Sequence, residues 1–313
     1  MNLHRRALQG ALIVLTGAIF FSTKAIFVKL AYQHGATAVP LLALRLLFAF
    51  PVYAAIAWRI RPKGESPRMT PRDYLTVGAT GITGYYFASL FDFLGLQYVS
   101  AGIERLILFS YPTLVVLISW AVFRKPITRI QAAALAITYA GILLVMTGDI
   151  ETGDRQALIT GSLWIFACAL TYAIYLVANG RLVHRFGTLR FTAWSMLAAC
   201  LCMFAHAALQ LDGSLWRYPW QVYLYAGLMA MLSTVIPTFM LSEGIRRVGA
   251  GPASILGAIG PVSTLVMAYV VLGESFTWMQ AGGTAIVMAG ILLITRDKPA
   301  PQRGQEPMPP DRL

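Results

Sequence analysis

Several ionisable side chains fall inside long apolar stretches of this 313-residue chain: Lys24, Lys29, Arg45, Asp92 and Glu104. A charge in such a setting costs about 2.5–3.5 kcal/mol on membrane-insertion scales, so it needs an opposite charge or a wet cavity. Lys24 lies deepest, near the middle of the stretch 11–32. An ammonium there can receive an anionic group, above all a carboxylate, or it can be neutralised by Asp92 or Glu104. Either acid can instead carry a coupling proton, because a partly desolvated carboxylate titrates in an accessible range. Glu104, followed by Arg105, stands in the first turn of its stretch, where the helix dipole favours an acid. Arg45 lies about a third of the way into 39–58 and suits a structural contact with carbonyls or an acid. Lys29 is near enough to an end to snorkel. Four mid-stretch tyrosines, Tyr86, Tyr111, Tyr172 and Tyr175, are expected in the wall of a pocket, where each hydroxyl needs a partner. Pro112 and Pro261 are expected to be structural, as bends.

Other chemistries lack their residues. Gly17 to Lys24 resembles a phosphate loop superficially, but Thr23 stands where a glycine must precede the lysine. His206 is the one mid-stretch histidine, and neither a Gly-x-Ser-x-Gly elbow nor a His-Glu-x-x-His pair occurs. Cys168, Cys200 and Cys202 have no metal-ligand spacing. The reading is therefore no enzyme, no cofactor and no metal, with a small molecule and membrane lipid as partners. Monomer and homodimer both stay open.

The elements that must position these residues are membrane helices. Hydrophobic residues make up 58% of the chain and charged ones 12%. A soluble domain carries about 25% charge. Ten apolar stretches, each long enough or nearly so to span a bilayer, occupy 11–32, 39–58, 74–96, 103–123, 130–148, 157–181, 189–211, 221–244, 253–272 and 279–295. The first is too long and too charged for a cleaved signal peptide. Residues 297–313, rich in Pro, Gln and Arg, read as a disordered cytoplasmic tail.

The net charge of +12 is topology rather than a nucleic-acid footprint. With the amino terminus inside, 19 Lys and Arg fall in inner segments and two, Arg155 and Arg217, in outer loops. The positive-inside rule then places both termini in the cytoplasm.

The chain also repeats itself. Shifted by 149 residues, Ala140-Gly141-Ile142-Leu143-Leu144 falls on Ala289-Gly290-Ile291-Leu292-Leu293, Pro112 on Pro261, and Ala101-Gly102 on Ala250-Gly251. Gly10-Ala11-Leu12 echoes Gly161-Ser162-Leu163. The expected fold is an all-α integral membrane protein of ten transmembrane helices in two inverted five-helix repeats, 8–148 and 157–295. Five is odd, so the second repeat enters the bilayer from the opposite side. Inverted repeats are tied to alternating access around a central site. Lys24, Asp92 and Glu104 have no counterpart in the second copy: Asp92 aligns with Leu241 and Glu104 with Ala253.

These residues resemble the drug/metabolite transporter superfamily, in its EamA-type ten-helix branch. The resemblance rests on the run from Phe20 to Leu30, Pro40 with Leu44-Arg45-Leu46, Leu94-Gly95-Leu96, Ser100-Ala101-Gly102, Tyr111-Pro112, the Ala-Gly-Ile-Leu-Leu runs and the Gly273-Glu274 turn. Many relatives have Trp-Gly in place of Phe20-Phe21, and Gly-Glu in place of Arg124-Lys125. The resemblance implies a secondary transporter of a small metabolite, often an amino acid or related compound and often exported, in a bacterial-type inner membrane. It implies a cavity lined by helices 1–4 and 6–9, with helices 5 and 10 as scaffold or dimer surface. A lipid or polyprenyl-carrier flippase on the same fold is the alternative, and it would need a side opening to lipid.

Overall fold

The computed structural model describes residues 2–60, 69–124, 126–150, 154–210, 214–248, 256–257, 259–275 and 277–296. The tail 297–313 and the Ala250-Gly251 pair lie outside these. Ten helical rods are present among the described residues. They are α1 (Asn2–Gln33), α2 (Ala38–Arg59), α3 (71–95), α4 (Ala101–Phe123), α5 (Arg129–Ile150), α6 (Arg155–Phe186), α7 (Thr188–Gln210), α8 (220–248), α9 (Ile259–Leu272) and α10 (Trp278–Arg296). Six helical runs are long and apolar enough to cross a bilayer by length and composition alone.

Local chemistry sets the ends and breaks of these rods. Helix α3 begins at Pro71, three residues before the expected start. Thr70 and Asp73 form a reciprocal capping box there, with Pro71 in the first turn. Helix α4 is broken at Phe109–Ser110, and its second segment starts at Tyr111. Pro112 causes the break, because it has no N–H to donate and its ring would strike the carbonyl of Leu108. Both α3 and α8 contain a π turn, at Ile82–Phe87 and Met231–Val235. The Ala88 N–H reaches the Thr83 carbonyl and the Ile236 N–H reaches that of Met231. These two turns are 149 residues apart, so the repeat extends to an irregularity of the backbone.

The packing obeys the same symmetry. Helix α1 lies against α8 and α9, and α6 lies against α3 and α4. Helix α2 pairs with α7, and α5 with α10. Exchanging the two repeats maps this set of neighbours onto itself. The close approaches match as well: a Cβ added to Gly10 would stand 2.6 Å from Val248, and one added to Gly161 would stand 2.6 Å from Val99. Gly141 on α5 and Gly283 on α10 bring those two backbones together, a Cβ on Gly141 falling 2.8 Å from the Gly283 carbonyl. Small residues take this role in membranes, where helix association rests on close van der Waals packing.

Candidate functional site

The charged residues of the first repeat meet at one place. Lys24 of α1 lies 2.7 Å from Asp92 of α3 and 3.4 Å from Glu104 of α4. All three are buried, Glu104 completely. Lys24 is therefore neutralised in this conformation rather than open to an incoming anion. One ammonium serves two carboxylates, and like charges so close resist joint ionisation.

The neighbouring cations are held differently. Arg105, one residue beyond Glu104, is 4% exposed. Its Nη2 donates to the Ser22 hydroxyl at 2.9 Å, and its guanidinium lies 5.7 Å from the centre of the Phe109 ring. Its Nε has no hydrogen-bond partner. Ser22 is in turn 2.8 Å from the Ala18 carbonyl and 3.1 Å from that of Gly260 on α9. Arg45 of α2 donates from Nε and Nη2 to Thr234 at 3.1 and 2.8 Å, and from Nη1 to Ser89 at 3.4 Å. Thr234 and Ser233 both lie in the π turn of α8. Ser233 bonds Thr23 across to α1 at 2.7 Å. The π turn thus aims two successive hydroxyls at two different helices. Arg45 was expected against carbonyls or an acid, and it is held by hydroxyls instead.

Three of the four expected tyrosines come together. Tyr111 sits edge-on to Tyr172 at 5.2 Å, and Tyr172 stacks on Tyr175 at 5.8 Å. Phe109 extends this run to within reach of Arg105, 5.9 Å from Tyr111. Tyr86 lies apart, its hydroxyl 2.8 Å from Nδ1 of His206 on α7. Its neighbour Tyr85 joins the cluster instead, hydroxyl to hydroxyl with Tyr175 at 2.8 Å. Gly84 leaves room for this, since a Cβ there would collide with the Tyr175 ring. Pro112 and Pro261 both flank the site: Pro112 opens the segment carrying Tyr111, and Pro261 follows Gly260.

Several bonds tie the α1/α8/α9 group to the α3/α4/α6 group. They are the Lys24 pairs, Arg105 to Ser22, the Tyr32 hydroxyl to the Phe93 carbonyl at 2.6 Å, and Glu274 to the Ala101 N–H at 3.0 Å. All of these lie toward the end where α3 meets α4. The aromatic run extends from Arg105 away from that end.

A model of the EamA-like transporter family matches residues 8–147 and again 159–296. The chain belongs to the EamA-like transporter family. It is thus a multi-pass integral membrane protein of a transporter family. An uncharacterized transporter of Bacillus subtilis, YcbK, is 32% identical over 296 residues, covering 92% of this chain and 94% of its own length. An uncharacterized transporter of Synechocystis, sll1319, is 27% identical over 325 residues, covering 95% and 96%. An uncharacterized inner membrane transporter of Salmonella typhimurium, YicL, is 24% identical over 294 residues, covering 92% and 96%. A solved structure, described as the crystal structure of a protein, superposes with a TM-score of 0.64 at 20% identity, covering 92% of this chain and 96% of that one. This last likeness concerns the fold.

Two residues of the site escaped the sequence reading. Arg105 reads as part of a helix start, and Tyr85 is not among the tyrosines expected in the pocket wall. The signal for Arg105 was its type: a cation inside an apolar stretch, in the last turn of the segment 101–108, needs a partner as Lys24 does.

Proposed function

We propose that the chain is a secondary active transporter, not an enzyme, which exports a small carboxylate-bearing metabolite by alternating access. The substrate class is an amino acid or a related compound, the membrane is the bacterial inner membrane, and both termini are cytoplasmic. The observation that carries this reading is the Lys24–Asp92–Glu104 trio. It bridges two helix groups related by inverted symmetry, at the end that then faces outward. Opening that end requires the trio to part. Parting exposes two adjacent carboxylates to water, where one can take up a proton, and this supports coupling to a proton gradient through Asp92 or Glu104. The tyrosine run on the other side of the trio supplies walls for a substrate approaching from the cytoplasm.

One observation favours the flippase alternative. A surface cavity of about 300 Å³ between α2 and α7 is lined by Ala43, Leu47, Phe204, Ala207, Leu215 and Trp216. It is apolar, as an opening for a lipid tail must be. Reconstitution into proteoliposomes separates the two. Export predicts counterflow of radiolabelled amino acids or related carboxylates, faster with an imposed pH gradient, and no movement of labelled lipid. Lipid scrambling without counterflow reverses the choice.

A further inference from the structure

The buried charges near the centre do not balance. Among the described residues, three cations (Lys24, Arg45 and Arg105) face two carboxylates (Asp92 and Glu104), all at most 8% exposed. Lys24 takes both acids. Arg45 is wrapped by hydroxyls from two helices. Arg105 is left with one neutral hydroxyl, an aromatic face, and an Nε that bonds to nothing. An uncompensated buried charge is costly in the interior unless a counter-charge arrives.

We infer that Arg105, rather than Lys24, is the residue that receives the substrate's carboxylate, and that the body behind that carboxylate is apolar or aromatic. This rests on the transport reading above and names the group that recognises the substrate. With both acids ionised the surplus is one positive charge, and it grows if one of them holds a proton, so an incoming carboxylate is favoured in either state. The free Nε belongs to a planar fork suited to a two-oxygen acceptor. Phe109, Tyr111 and Tyr172 continue from the guanidinium as a wall of rings, which fits an apolar body behind the carboxylate. Gly260 lets α9 pack closely here: a Cβ there would stand 3.4 Å from both the Phe109 ring and the Ser22 hydroxyl. Ser22 orients the guanidinium, itself anchored on two backbone carbonyls.

The test uses the purified full chain and two probes of one shape, 3-phenylpropanoate and its uncharged amide, titrated calorimetrically at fixed ionic strength. The wild type is expected to bind the carboxylate and to bind the amide far more weakly. Arg105→Gln is expected to weaken carboxylate binding about 10- to 100-fold, the loss of a charge-assisted pair, and to leave amide binding where it was. Arg105→Lys keeps the charge, so it is expected to fall between the two and guards against a folding defect. The apo Arg105→Gln protein is expected to melt no lower than the wild type, because a surplus charge has been removed. Equal carboxylate binding by wild type and Arg105→Gln overturns the inference, as does equal binding of acid and amide by the wild type, or binding of neither. Flux of radiolabelled 3-phenylpropanoate separates site from function. Binding lost in Arg105→Gln with no flux in the wild type keeps the site and removes transport. Flux unchanged in Arg105→Gln keeps transport and removes the site.

Discussion

Helices α1 and α6 hold equivalent places in the two repeats, yet the residue at the shared point differs. Lys24 on α1 and Tyr175 on α6 are 151 residues apart, the same offset that relates Gly10 to Gly161. Lys24 reaches across to α3 and α4, the partners of the other helix group. Tyr175 bonds Tyr85 on α3, a helix of its own group. The charged contact therefore joins the two helix groups, and the phenolic contact ties one group together internally. Symmetry supplies two equivalent positions, and the chemistry loads only one of them with ions.

That contrast is sharpest in its energetics. Lys24→Ala leaves Asp92 and Glu104 buried without a counter-ion, and is expected to destabilise the protein by about 3–5 kcal/mol. Tyr175→Phe removes one neutral hydroxyl bond and is expected to cost about 1 kcal/mol. Thermal unfolding in one detergent compares the two. The double change Lys24→Met with Asp92→Asn is expected to recover part of the loss, because less uncompensated charge stays buried. Equal costs at the two positions would end the asymmetry.

The scaffold, unlike the ions, is expected to be symmetric in its energetics as well as in its packing. Gly95 and Gly244 are equivalent, and a Cβ on either would meet the facing helix at Ile165 or Val14. Valine at either position is expected to cost about 1–3 kcal/mol by overpacking. The two values are expected to agree closely in the same unfolding assay, whereas the ionic residues differ.

A third comparison concerns the turns that end α4 and α9. Gly273 closes α9 at φ +66°, a left-handed conformation natural to glycine. Arg124, 149 residues earlier, closes α4 at φ +52°. A side chain there costs about 1–2 kcal/mol, so Arg124→Gly is expected to raise stability by up to that amount. Gly273→Arg is expected to lower it, and a fall in stability for Arg124→Gly would contradict the shared backbone.

What the sequence could reveal follows from the range of each interaction. Hydropathy and the 149-residue offset are properties of the chain read in order, so the ten helices, the repeat and the burial of Lys24 were all legible. The choice among Lys24's uses was not, because Asp92 and Glu104 are 68 and 80 residues away and only folding decides which acid an ammonium meets. Tyr85 and Tyr86 illustrate a second limit. Adjacent residues on a helix point about 100° apart, and equally apolar flanks do not say which faces the centre. The π turns are a third, since a turn that holds one residue more than an α turn is marked by no residue type of its own.

The smallest effect lies at the starts of α3 and α8. Helix α3 opens with the Thr70–Asp73 box, the Thr70 N–H and hydroxyl both 2.8 Å from the Asp73 carboxylate, with Arg185 at 3.0 Å. Helix α8 opens on Pro219, with no side-chain cap. The Thr70 backbone and side-chain bonds, followed by the Arg185 charge, hold the Asp73 carboxyl below its ordinary value of 3.8. A carboxyl depressed on folding stabilises above its unfolded value, and that contribution fades as pH falls through the folded one. Asp73→Asn is therefore expected to melt slightly below the wild type at neutral pH. The gap is expected to narrow as pH falls below 3.8 and the wild-type carboxyl protonates. Val222, the residue 149 positions further on, has no proton to exchange, so Val222→Ala is expected to shift melting by the same amount at every pH. A gap between Asp73→Asn and wild type that stays constant with pH would mean that the box acts by shape alone and that the two helix starts differ only in geometry.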